Sequence, residues 1–128
     1  MKRLSMLVLA LMITLSACGK KGKALDAYDN GKTIVMKMGR TFTVTLTNPG
    51  DGGYSFLPPT YDRSMIKLVS HSHTVRKHPA AGDFGSDDWV FKIIGNNSQS
   101  NVLIQAQRGW EAGKENPITM FSVTIKVE

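Results

Sequence analysis

The chain has 128 residues, 16 lysines and arginines against 10 aspartates and glutamates for a formal charge of +6, and a single cysteine. One cysteine excludes a disulfide within the chain, so a packed core has to supply the stability. Without the first 17 residues, which read as a leader, 128 − 17 = 111 remain, room for one domain and not for two.

Residues 1–17 read as a signal peptide. Lys2 and Arg3 form a positive start, and Leu4 to Leu15 is an apolar stretch well short of the roughly twenty residues a membrane-spanning helix needs. The stretch ends Leu15-Ser16-Ala17-Cys18-Gly19, which resembles the bacterial lipobox. In that motif small residues admit the peptidase and the cysteine thiol takes lipid, so Cys18 is expected to be acylated (palmitate among the chains). Two acyl chains anchor stably where one would not, which predicts a protein held on a membrane of the bacterial cell envelope, periplasmic or cell-surface. Without Lys2 and Arg3 the balance is 14 basic to 10 acidic, or +4, and Lys20, Lys21 and Lys23 cluster beside the lipid. There they meet anionic headgroups rather than nucleic acid.

Residues 18–31 are polar and rich in glycine and lysine, as expected of a tether, with the domain over 32–128. From Lys32 the pattern has period two. Ile34, Met36 and Met38 alternate with lesser positions, then Phe42, Val44 and Leu46 alternate with Thr41, Thr43, Thr45 and Thr47. Ile66 and Leu68 begin a further strand, followed by runs on Trp89, Phe91 and Ile93, on Val102, Ile104 and Ala106, and on Phe121, Val123, Ile125 and Val127. Turn residues separate these runs at short intervals, and no segment carries a helical stripe. An all-β, antiparallel sandwich follows.

Two loop signatures interrupt the strands: Asn48-Pro49-Gly50-Asp51-Gly52-Gly53-Tyr54 and Arg108-Gly109-Trp110. Trp110 at a loop apex has little of its own sheet to bury against, and aromatics so placed favour binding hot spots; the alternative is that it folds back as a lid on the core. Trp89, in phase with Phe91 and Ile93, is core. Gly82-Asp83-Phe84-Gly85-Ser86 is either a projecting loop or a tight turn that tucks Phe84 inward. His71 and His73, two apart on one strand face with His78 nearby, invite a metal reading if Asp83, Asp87 or Asp88 completes the set. No Ser, His and Asp arrangement has motif support and Gly-x-Ser-x-Gly is absent, so no enzyme and no cofactor are expected.

Taken in order, Asn-Pro…Gly-Tyr, a glycine-rich loop and Arg-x-Trp resemble the chagasin family of cysteine-protease inhibitors over roughly Gly31 to Glu128. That family carries Asn-Pro-Thr-Thr-Gly-aromatic, Gly-x-Gly-Gly and Arg-Pro-Trp on an immunoglobulin-like sandwich. The resemblance implies reversible, non-covalent occlusion of papain-like proteases by three adjacent loops, and a monomer. Asn48, Pro49, Gly53 and Tyr54 match the first loop, Gly82 and Gly85 the second, and Arg108 and Trp110 the third. Three departures stand out: Gly50-Asp51-Gly52 replaces Thr-Thr and is one residue longer, Phe84 stands where a glycine is usual, and Gly109 replaces proline. These changes predict looser loops, which lose more entropy on docking. The Gly50-Asp51-Gly52 change also suits a rival, an envelope adhesion or assembly module that has kept the sandwich and lost inhibition; a second rival, resting on the histidines, is a periplasmic metal-binding protein centred on His71 and His73.

Overall fold

The computed structural model describes residues 22–96, 99–111 and 116–128. Among them are eight strands: β1 (Lys23–Leu25), β2 (Thr33–Met36), β3 (Thr41–Thr47), β4 (Tyr54–Phe56), β5 (Ile66–Thr74), β6 (Ser86–Ile93), β7 (Gln99–Arg108) and β8 (Ile118–Val127). Period-two alternation decides which side chains go inward. In β8, Phe121, Val123, Ile125 and Val127 are buried while Ser122, Thr124 and Lys126 keep contact with solvent. β3 buries Phe42, Val44 and Leu46 in the same way.

One sheet has the order β1-β3-β6-β5 and the other β2-β8-β7-β4. Their inner faces enclose one core, in which Trp89, Phe42, Phe91 and Phe121 are the largest fully buried side chains. The Phe42 and Phe91 rings stack at 5.1 Å, and Phe56 meets Trp89 edge-on at 4.7 Å. Truncating a buried phenylalanine such as Phe121 to alanine removes about 3 to 5 kcal/mol from a core of this kind.

The all-β sandwich is the architecture expected, with one difference in pairing. Both sheets are mixed, because β1 runs parallel to β3 and β2 parallel to β8. A second difference corrects the tether boundary. Residues 23–25 add a strand to the first sheet and bury Leu25, and Ala27–Asp29 form a 3-10 turn capped by Asp26, so part of the supposed tether belongs to the domain. Cys18 and the leader lie outside the described residues.

Strand direction then places the loops. β3 ends at Thr47 opposite Ser86, where β6 begins, and β4 begins at Tyr54 opposite Arg108, where β7 ends. The connections after β3, before β6 and after β7 therefore emerge at one end of the sandwich. The β2–β3 turn, the start of β5 and the ends of β6 and β8 lie at the other.

Candidate functional site

Asn48 anchors the first loop from both sides. Its backbone N–H donates to the Gly85 carbonyl at 2.9 Å, its side-chain oxygen accepts from the Gly50 N–H at 2.9 Å, and its amide donates to Asp87 Oδ1 at 2.8 Å. Half-buried Pro49 follows, and Asp51–Gly53 close a 3-10 turn in which the Gly53 N–H donates to the Gly50 carbonyl at 3.1 Å.

The neighbouring loops interlock with this turn. A Cβ on Gly50 would lie 2.6 Å from Phe84 Cγ, so the Phe84 ring occupies the space a side chain would take. A Cβ on Gly53 would lie 2.2 Å from Trp110 Cη2, so Trp110 rests directly on that backbone. Between the two, Arg108 Nε donates to the Gly52 carbonyl at 3.0 Å while its guanidinium lies 4.5 Å from the Tyr54 ring centre and 5.8 Å from that of Trp110. Gly82 approaches the Asp51 carboxylate, and Asp83 accepts from the Gly85 N–H at 2.9 Å to close the second loop.

All twelve residues that sequence reasoning assigned to the loops thus gather at one end. Two sit on strands rather than in loops, Tyr54 opening β4 and Arg108 ending β7. Trp110 is 64 % exposed and Phe84 42 %, so neither is a core lid or an inward tuck. Two of the departures expected to loosen the loops are corrected by this packing, since glycine at 50 leaves the room that Phe84 fills and Phe84 and Trp110 hold the first loop from two sides; around Gly109 the space stays open.

Sequence reasoning missed the support beneath. Asp87 is buried, and its carboxylate meets Asn48, His71 Nε2 at 2.6 Å and His73 Nδ1 at 2.7 Å. Burial by itself raises the Asp87 carboxyl, but hydrogen bonds from Asn48, His73 and His71 outweigh it and hold the group below its ordinary value. The histidines reach it because of a β-bulge. The register of β5 on β6 shifts between Leu68 and Ser70, leaving Val69 half-exposed. After that shift His71 pairs with Trp89 and stacks on it at 4.6 Å, and His73 pairs with Asp87. Both rings are spent on a carboxylate, and no group of three or more His, Cys, Asp or Glu side chains suited to a metal occurs among the described residues.

No protein-family profile and no curated protein sequence matches the chain. Among solved structures, the chain is similar to the cysteine protease inhibitor EhICP2 from Entamoeba histolytica, with a TM-score of 0.67 at 14 % identity over 83 % of this chain and 94 % of that one. It is also similar to amebosin, whose solution structure aligns with a TM-score of 0.58 at 18 % identity over 84 % of this chain and 98 % of that one. The fold is that of the chagasin-like inhibitors.

Proposed function

We propose that the chain is a reversible, non-covalent inhibitor of papain-like cysteine proteases that occludes the active-site cleft with its three clustered loops. The observation that carries this reading is the interlocked end of the sandwich, where Trp110 stands exposed on a backbone braced by Arg108 and Phe84. A papain-like cleft holds a thiolate beside an imidazolium. The first loop would cover that pair, Trp110 would pack on the leaving-group side, and the Gly82 to Gly85 loop would fill the other side. Because the loops are braced before contact, little loop entropy is lost on docking. The similarity of fold to EhICP2 supports the same reading.

The chain acts from a membrane in this proposal, acylated at Cys18 within the Leu15-Ser16-Ala17-Cys18 motif and displayed in the bacterial cell envelope. No covalent step and no cofactor enter. Steady-state inhibition constants against a panel of papain-like enzymes test it. Competitive inhibition with full recovery of activity on dilution is expected; no inhibition of any member at saturating protein would favour an envelope module instead.

A further inference from the structure

The end of the sandwich opposite the loops carries an unbalanced charge. Lys23 opens β1, Lys37 and Arg40 flank the β2–β3 turn, Lys67 and Lys92 lie in β5 and β6, and Lys126 is the penultimate residue of β8. All are exposed, as is Arg63 just before β5; Asp62 and Glu128 oppose them, and Asp29, itself paired with Lys32, lies close enough to act on Lys23, a balance of 7 − 3 = +4. At the loop end Arg76, Lys77 and Arg108 are set against Asp51, Asp83, Asp87, Asp88 and Glu111, or 3 − 5 = −2 among the described residues. Among the described residues none of the seven cations forms an ion pair with a carboxylate, whereas Lys32 and Arg76 elsewhere do.

Two of the seven are set against each other. Lys67 and Lys92 are direct cross-strand partners on the outer face of their sheet, an arrangement that like charge disfavours. An anionic surface would relieve it. Beside them a cavity of about 640 Å³ is lined by Lys23, Lys37 and Arg40 together with Glu128.

We propose that this basic end docks on an anionic bilayer and turns the three loops away from it. The chain enters the domain here, since Gly22 and Lys23 stand at the start of β1. If Cys18 is acylated as proposed above, the four steps from Cys18 to Gly22 span at most about 14 Å, under two Debye lengths at physiological salt. The cations are therefore held where the negative potential of the headgroups is felt. The loops lie beyond the seven residues of β3, roughly 20 Å further out, where a protease can reach them.

Lysine footprinting of the full chain tests this. The protein is placed on vesicles of phosphatidylcholine alone or of phosphatidylcholine mixed with phosphatidylglycerol, labelled sparingly with an amine-acetylating reagent, and read residue by residue by mass spectrometry. The anchor holds the protein on both, so binding alone does not decide the outcome. Lys37, Lys67 and Lys92 should label roughly threefold or more slowly on the anionic vesicles, Lys32 and Lys77 equally on both, and high salt should abolish the difference. The Lys67→Glu/Lys92→Glu variant should lose the protection and still inhibit protease. Equal labelling on both vesicles would overturn the proposal, as would protection of Lys77, or protection by duplex DNA but not by anionic vesicles. Failure to associate with either vesicle would overturn the acylation at Cys18 on which the orientation rests, and none of these outcomes bears on inhibition.

Discussion

The contact between Gly50 and Phe84 gives the sharpest perturbation of the loop end. Gly50 has φ −58° and ψ −18°, a conformation any residue adopts, so a side chain there is resisted only by what it meets. It meets Phe84 Cγ at 2.6 Å and Cδ1 at 2.7 Å, atoms near the root of the ring that cannot yield without a change of rotamer. Gly50→Thr should therefore swing Phe84 into solvent. Phe84 is already 42 % exposed, so the lost burial is about half of a full phenylalanine, roughly 1 to 1.5 kcal/mol. Against this, replacing glycine at a compatible position returns about 0.4 to 1 kcal/mol by restricting the unfolded chain. The single variant should lose only about 0.5 kcal/mol by that difference, while Gly50→Thr in a Phe84→Gly background should be stabilising. A double-mutant cycle by urea unfolding should give a coupling of about 1 kcal/mol or more, with a matching coupling in inhibition constants. Additivity within about 0.3 kcal/mol in both measurements would refute the interlock.

Trp110→Ala should weaken inhibition by at least about 2 kcal/mol, roughly thirtyfold, with the melting temperature nearly unchanged; a large drop in melting temperature with affinity intact would contradict an exposed anchor. Asp87→Asn should cost about 1 to 3 kcal/mol of stability at neutral pH, since one acceptor oxygen replaces two charged ones beneath Asn48. Because the folded Asp87 carboxyl lies below its ordinary value of 3.8, its contribution is complete above that pH and is lost as pH falls through the lower folded value. Urea titrations should show the gap between wild type and Asp87→Asn closing only in acid below about 3.8, and a gap unchanged in strong acid would count against the charged network. Cys18→Ser should leave the membrane fraction or remain unprocessed, and fractionation and processing like wild type would remove the anchor.

Period-two runs on Phe42, Val44 and Leu46, on Trp89, Phe91 and Ile93, and on Phe121 to Val127 were enough to read the sandwich, because burial on one face of a strand imposes that alternation. β1 and β4 escaped because three residues each carry no period, and Leu25 alone marks the first as buried. His71 and His73 were legible as residues sharing a face. Which face was not, since Ile66 and Leu68 set one phase and the bulge at Val69 reverses it toward Asp87. The three loops were visible as turn chemistry, but the exchange of side-chain volume between Gly50 and Phe84 joins positions distant in sequence, and only the folded chain brings them together.

Occlusion of a thiolate is tested most directly at the thiolate. A papain-like enzyme that the chain inhibits is alkylated with iodoacetamide, alone and with the inhibitor in saturating excess, and the rate of carbamidomethylation of its active-site cysteine is followed. The first loop over the catalytic pair predicts that alkylation slows in proportion to the bound fraction and returns to the free rate with Trp110→Ala at concentrations where that variant no longer binds. Alkylation at the free rate in the saturated complex would contradict it, because a cleft filled by Asn48 to Tyr54 leaves the sulfur no path to the reagent.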